Sequence, residues 1–133
     1  MLGTGDYKTV RYIWGERSCE TRIFCQALLD WFPDARLHLA VTPEAREHDN
    51  YRDVAKVAGS RLCPVEIPSG KSELEMWQMF EIVTKALPQG ENVIFDFTHG
   101  FRSLPVIVLL AFGYMQSLES IKIEHLLYGA YEA

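Results

Sequence analysis

Donor-bearing side chains are concentrated in one polar run, residues 96–105, which reads Asp-Phe-Thr-His-Gly-Phe-Arg-Ser-Leu-Pro. Apolar residues 93–95 precede this run, and a nearly continuous apolar segment, residues 104–115, follows it. That order predicts a buried strand, a polar loop and a buried helix. The free N–H groups and the dipole of a helix N-terminus favour an anion, and Gly100 allows a sharp turn or a close approach to a ligand. We therefore predict that the loop binds a phosphate-bearing ligand, with these donors: Thr98, His99, Arg102 and Ser103.

The elements that must position this loop follow from alternating apolar and amphipathic runs, which are typical of a βαβ protein. Predicted strands cover residues 36–42, 62–68, 92–98 and 121–131. Predicted helices cover residues 21–32, 48–58, 72–87 and 103–118. Ser72 and Glu75 form a capping box for the third helix, and Ser103 is a candidate N-cap for the fourth. A short hairpin is predicted within residues 7–19, with its turn at Gly15.

Composition limits the classes of function. The 133 residues fit one domain, residues 1–133, and the net charge of -5 argues against binding to duplex nucleic acid. Three cysteines without a Cys-x-x-Cys pair favour a reducing cytoplasm over a disulfide framework. The cysteines and His48 do not have the spacing of metal ligands, so we expect no zinc site. No apolar run reaches the roughly 20 residues that span a bilayer, and we expect neither membrane insertion nor a signal peptide.

A second candidate ligand loop lies at the start of the chain, where Gly3, Thr4 and Gly5 resemble the turn after the first strand of a nucleotide-binding α/β domain. Asp6 and Tyr7 extend it, and a disordered N-terminus is the alternative interpretation. Only two residues precede this turn, and the chain stops directly after a strand-like run. We therefore expect the chain to be a piece of a longer protein.

Thr42 follows a predicted strand and so lies at the edge of the sheet where α/β proteins bind ligands. Alternatively, Thr42 and Pro43 mark the start of a helix, with Pro43 in its first turn, and no ligand is needed to explain them. Both interpretations remain open from the sequence.

Residues 96–100 resemble the Asp-x-Thr-His-Gly motif of CRISPR-associated proteins whose sensory unit is the CARF domain (CRISPR-associated Rossmann fold). Residues 101–105 resemble the sequence that usually follows this motif in the family. Four further segments resemble segments of the family in order and spacing: residues 2–7, 42–46, 67–70 and 128–133. The resemblance implies a Rossmann-like, mostly parallel sheet flanked by helices in a single CARF-type domain. It further implies a homodimer in the prokaryotic cytoplasm that binds cyclic oligoadenylate, most simply cyclic tetra-adenylate, in type III CRISPR antiviral defence.

The apolar helix 103–118 would pack one face on the sheet and another on a partner subunit, so that two copies of the loop meet a symmetric ring. We expect Asp96 to brace its loop through backbone N–H groups rather than to touch the anion. The ligand-binding residues expected from the motif and the N-terminal loop are Gly3, Thr4, Gly5, Asp6, Tyr7, Thr42, Thr98, His99, Gly100, Phe101, Arg102 and Ser103.

An enzyme is the alternative: a metal-independent ring nuclease without cofactor, in which a ribose 2′-hydroxyl attacks the adjacent phosphate. Arg102 would then stabilise the developing charge, and His99 or Ser103 would assist proton movement. Family members usually carry a further effector domain, often a ribonuclease with an Arg-x(4–6)-His motif, and no arginine here has a histidine at that spacing. A generic dinucleotide-binding domain is disfavoured because the third glycine of Gly-x-Gly-x-x-Gly is missing. The sequence does not distinguish the sensor hypothesis from the ring-nuclease hypothesis, and it does not indicate the size of the cyclic oligoadenylate.

Overall fold

A computed structural model describes residues 1–100 and 104–130. The strands are β1 (Val10–Trp14), β2 (Arg17–Thr21), β3 (Leu37–Val41), β4 (Leu62–Glu66), β5 (Glu91–Asp96) and β6 (Ile121–Leu127). The helices are α1 (Phe24–Trp31), α2 (Pro43–Glu47), α3 (Asp49–Ala58), α4 (Glu73–Ala86) and α5 (Leu104–Ser117), with a short 3-10 turn over Gly59–Arg61. Strands and helices alternate from β3 onward, so the predicted α/β class is confirmed.

The predicted hairpin is present as the antiparallel pair β1–β2, with Val10 opposite Thr21 and Trp14 opposite Arg17. Its two-residue turn begins at Gly15, whose φ of 61° is the left-handed value that the first central position of a type II′ turn requires. Thr21 was predicted to start the first helix, which is wrong: its backbone belongs to the β2 ladder, and α1 begins at Phe24.

Two parallel pairs form the rest of the sheet structure. β3 pairs with β4, from Leu37 opposite Leu62 to Val41 opposite Glu66. β5 pairs with β6, with an irregularity in register after Val93. Within the described ranges the two pairs are not hydrogen-bonded to each other. Parallel strands linked by helices are consistent with a Rossmann-like arrangement.

The core is divided between two layers of helices. One cluster contains Ala40 of β3 and Phe95 of β5 packed against α4 and α5. The other contains Leu39 and Val41 of β3 packed against α1, α2 and α3 residues such as Val54. Alternate residues of β3 therefore face opposite layers, as the period of a strand requires, and both faces of this strand are covered.

Helix ends follow the predicted signals where the described residues include them. Ser72 caps α4 by accepting the Glu75 N–H at 3.2 Å, while the Glu75 carboxylate accepts the Lys71 N–H at 2.5 Å. The predicted N-cap of α5, Ser103, lies outside the described residues. None of the helices in the described part of the chain has both the length and the apolar character needed to cross a bilayer.

Candidate functional site

Asp96 ends β5 and organises the polar loop that follows. The side chain is buried, and its Oδ1 accepts the Thr98 N–H at 2.8 Å. This confirms the predicted bracing role of the carboxylate. Its second oxygen, Oδ2, is buried without a hydrogen-bond partner among the described residues. Through Oδ1 the carboxylate therefore shapes the loop from within.

Thr98 connects this loop to the segment that follows β6. Its Oγ1 accepts the Gly129 N–H at 2.8 Å, and the preceding Phe97 N–H donates to the Leu127 carbonyl at 3.2 Å. The Phe97 and Tyr128 rings stack with centroids 5.5 Å apart. Because the Thr98 oxygen acts here as an acceptor, its own hydroxyl proton is left to donate.

His99 contacts the first turn of α1. Its Nε2 accepts the Phe24 N–H at 3.1 Å, and Phe24 is the first residue of a helix whose N-cap, Ile23, supplies no side-chain acceptor. Because an accepting nitrogen carries no proton, the ring is neutral and Nδ1 bears the hydrogen. Burial lowers the pKa of His99, and Asp96 opposes that shift. His99 is thus a long-range helix cap, and its Nδ1–H has no acceptor among residues 1–100 and 104–130.

The His99 ring packs on Tyr7 of the N-terminal loop, with ring centroids 4.0 Å apart. Burial raises the pKa of Tyr7, while hydrogen bonds to the backbone of Gly3 and Gly5 act in the opposite direction. The two loops predicted separately from the sequence therefore meet through this pair of rings.

Gly3 and Gly5 fold closely around the Tyr7 ring. A Cβ on Gly3 would lie 2.9 Å from the Tyr7 hydroxyl oxygen, and one on Gly5 would lie 2.8 Å from the ring. Asn50 of α3 holds the same loop, because its Nδ2 donates to the Gly3 carbonyl at 3.2 Å and to the Gly5 carbonyl at 2.9 Å. These glycines are thus needed by the protein's own packing.

Asn50 was missed by the sequence analysis. It is 1% exposed and shares a helical face with Val54 and Ala58, which are also buried. A polar side chain on an apolar helix face needs partners, because burying an amide without hydrogen bonds is costly. A polar residue on an otherwise apolar helix face was therefore the feature of the sequence from which Asn50 could have been identified.

Gly100 provides a turn in this loop, and its contact with a ligand remains a prediction. Its N–H donates to the Phe97 carbonyl at 3.1 Å. A Cβ at this position would lie 2.6 Å from Pro105 and 3.1 Å from the Phe97 oxygen, so the surrounding protein fills the space that the missing side chain leaves.

Thr42 caps α2, which settles one of its two interpretations: its Oγ1 accepts the Ala45 N–H at 3.3 Å, with Pro43 in the first turn. Glu44 accepts from the Ser69 hydroxyl at 3.0 Å, so α2 is tied to the loop after β4. Two hydrogen bonds to its carboxylate lower the pKa of Glu44: the larger effect comes from the backbone of Glu44 itself, and the next from the Ser69 hydroxyl. A ligand contact of Thr42 remains a prediction.

The predicted residues divide into three groups. Gly3, Gly5, Tyr7 and His99 are brought together, with Thr98 in the same loop as His99. Thr4 and Asp6 are exposed beside them, whereas Thr42 and Gly100 have the capping and turn roles described above. The predicted contacts that lie outside the described residues are Phe101, Arg102 and Ser103.

The arrangement offers hydrogen-bond donors more than nucleophiles. The Thr98 hydroxyl and the His99 Nδ1–H are neutral donors at the carboxyl end of β5, where α/β proteins bind ligands. Burial raises the pKa of the nearby Cys25 thiol to about 12, so this sulfur is not a thiolate at neutral pH. Across residues 1–100 and 104–130, no three His, Cys, Asp or Glu side chains are grouped as metal ligands.

Comparison with known proteins gives one relevant similarity. No protein-family model matches the sequence. Over 76 residues, 55% of this chain, the sequence is 28% identical to a CRISPR-associated protein of Methanocaldococcus jannaschii. The matched segment spans 12% of that protein's length. The chain is thus an α/β protein with distant similarity to a part of a CRISPR-associated protein.

Proposed function

We propose that this chain is a CARF-type sensor domain that binds cyclic oligoadenylate, most simply cyclic tetra-adenylate, as a homodimer in type III CRISPR defence. The observation that carries the proposal is the contact between the two candidate ligand loops, His99 on Tyr7, at the carboxyl end of β5. The distant similarity to a CRISPR-associated protein supports the same assignment. The sensor would act in the prokaryotic cytoplasm and control an effector domain of a longer protein.

Phosphate binding is supported by two donors, the Thr98 hydroxyl and the His99 Nδ1–H, that have no acceptor among the described residues. The Thr98 oxygen and the His99 Nε2 already accept backbone N–H groups, so each side chain is held in one orientation with a hydrogen to offer. Held donors bind an anion without losing further side-chain entropy. Arg102 would add a charge-assisted hydrogen bond from the same loop.

A homodimer is supported by the outer face of α5. Val106, Leu110 and Tyr114 are each more than half exposed, and their spacing of four residues places them along one side of the helix. The Phe80 ring lies 5.7 Å from Tyr114 of α5 and 6.3 Å from Trp77, so this face continues onto α4. We call these residues of α4 and α5 the apolar face. A large apolar patch is typical of an interaction site.

Binding is favoured over ring cleavage by the state of His99. Its unprotonated nitrogen is engaged with the Phe24 N–H, so accepting a proton from a ribose hydroxyl would require that helix cap to break. A general base has to reach the proton that it abstracts. The nuclease therefore stands as the second candidate, to be judged by product analysis.

Calorimetric titration with cyclic tetra-adenylate tests the proposal. Arg102→Ala is expected to weaken binding by roughly 1–3 kcal/mol, the range for a charge-assisted hydrogen bond. Arg36→Ala is the matched control, because Arg36 is exposed and precedes β3, at the opposite end of the strand from the site. Equal affinity of both variants, or no binding by the unaltered chain to rings of three, four or six adenylates, refutes the proposal. Linear product after prolonged incubation would identify the nuclease instead.

A further inference from the structure

An exposed aromatic side chain lies beside the candidate site. Tyr128 directly follows β6, and 63% of its surface is exposed. Because β5 and β6 are parallel, their carboxyl ends lie at the same edge of the sheet, and Tyr128 is next to the loop that begins after Asp96. Single exposed aromatic rings are common at protein surfaces. Tyr128 differs from such rings in how firmly it is held.

The backbone on both sides of Tyr128 is bonded to the loop after β5. On the amino side, the Leu127 carbonyl accepts the Phe97 N–H at 3.2 Å. On the carboxyl side, the Gly129 N–H donates to Thr98 Oγ1 at 2.8 Å. A Cβ on Gly129 would lie 3.0 Å from Thr98 Cγ2, so the chain after Tyr128 is packed tightly against the loop. These contacts fix the position from which the Tyr128 side chain extends.

One face of the Tyr128 ring is held as well. It stacks on the Phe97 ring, with centroids 5.5 Å apart and 20° between the ring planes. The Phe97 ring packs against the cluster formed with α4 and α5 and lies 5.8 Å from the ring of the buried Phe95. The core therefore supports Phe97, Phe97 supports Tyr128, and the opposite face of the Tyr128 ring is exposed.

An aromatic ring with one face held and the other exposed suits a flat aromatic group of a ligand. Nucleobases stack on such rings, because every base has a π face. Little side-chain entropy is lost on binding, because the ring is already held in one orientation. The Thr98 hydroxyl is bonded to the residue after Tyr128, so a single nucleotide would present its phosphate to this hydroxyl and its base to the ring.

We propose that Tyr128 is a base-stacking platform for one adenine of the cyclic oligoadenylate, supported from below by Phe97, with the phosphate of the same nucleotide at Thr98. This subsite rests on the proposed function, since it takes a nucleotide of that ligand. Stacking adds affinity, and it does not by itself select adenine over another base. In a homodimer the two copies of Tyr128 would hold two bases of one symmetric ligand.

Calorimetry and proton NMR with cyclic tetra-adenylate test the platform. Tyr128→Leu should weaken binding at least about 5-fold, whereas Tyr128→Phe keeps the aromatic ring and should bind as the unaltered chain does. The adenine H2 and H8 protons should shift upfield on binding, and this shift should be smaller with Tyr128→Leu, because leucine has no ring current. Leu126→Ala is the matched control: Leu126 is 50% exposed on the same strand, and its loss should change neither the affinity nor the shift.

The outcomes separate the platform from the proposed function. If the unaltered chain binds and Tyr128→Leu has the same affinity and the same upfield shift, the platform is wrong and the proposed function stands. If neither the unaltered chain nor any variant binds, both are wrong. If Tyr128→Leu sediments as a monomer where the unaltered chain is a dimer, Tyr128 belongs to the interface between copies, and the platform is overturned.

A second variant keeps the test decisive if Tyr128→Leu fails to fold, which urea unfolding would show. Tyr128→Trp enlarges the aromatic surface and should bind more tightly, with a larger upfield shift of the adenine protons. A folded Tyr128→Trp variant that changes neither the affinity nor the shift refutes the platform.

Discussion

At the residue scale, the site depends on polar side chains whose partners are far away in sequence. His99 accepts a hydrogen bond from the backbone of Phe24, and Asn50 donates to two carbonyls of the N-terminal loop. Both residues position the loops that we propose to bind the ligand. Each contact therefore links stability to the geometry of the site, and each can be tested separately.

His99 should titrate below the ordinary histidine value of about 6.5, because burial disfavours the charged ring. Between its folded and unfolded pKa values the folded chain binds fewer protons, so stability is complete above the unfolded pKa and falls as pH drops through this window. NMR titration of the imidazole checks the direction. His99→Gln keeps an acceptor without a titrating group and should reduce the loss of stability on acidification; a His99 pKa at or above 6.5 contradicts the contact.

Asn50→Ala should destabilise the fold by about 1–3 kcal/mol, because it removes the two hydrogen bonds that the buried Asn50 amide donates to the Gly3 and Gly5 carbonyls. Urea unfolding measures the change. Asn92→Ala is the control, since Asn92 is exposed on β5, and it should alter stability by less than about 0.5 kcal/mol. Similar effects of the two substitutions would show that Asn50 does not hold the loop.

At the element scale, the dimer hypothesis depends on the exposed apolar face of α5. Leu110 is 59% exposed on the apolar face, and Val57 on α3 is 52% exposed outside it. Leu110→Glu should shift the chain to monomer in sedimentation, because a charge at the centre of an apolar interface is costly to bury. Val57→Glu adds the same charge to another helix and should leave the association unchanged. If the unaltered chain sediments only as a monomer at micromolar concentration, the homodimer hypothesis is wrong.

Local signals predicted most of the elements. The capping pair Ser72 and Glu75 predicted the start of α4, and the β-prone residues 9–14 with the glycine turn predicted the hairpin. Thr21 was misassigned because pairing with Val10 decides its conformation, and a ladder partner is invisible to helical spacing. The site was predictable in part: the polar run indicated the loop, whereas the capping role of His99 depends on a residue 75 positions away.

At the scale of the whole molecule, stoichiometry joins the ligand to the dimer. α5 begins directly after the polar loop, so a two-fold axis at the apolar face would place two copies of that loop side by side around a symmetric ring. Titration should therefore give one cyclic tetra-adenylate for every two chains. Leu110→Glu should lose affinity even though Leu110 would not touch the ligand, because each monomer retains half of the contacts, whereas Val57→Glu should bind normally. One ring bound per monomeric chain, with unchanged affinity in Leu110→Glu, would separate binding from dimerisation.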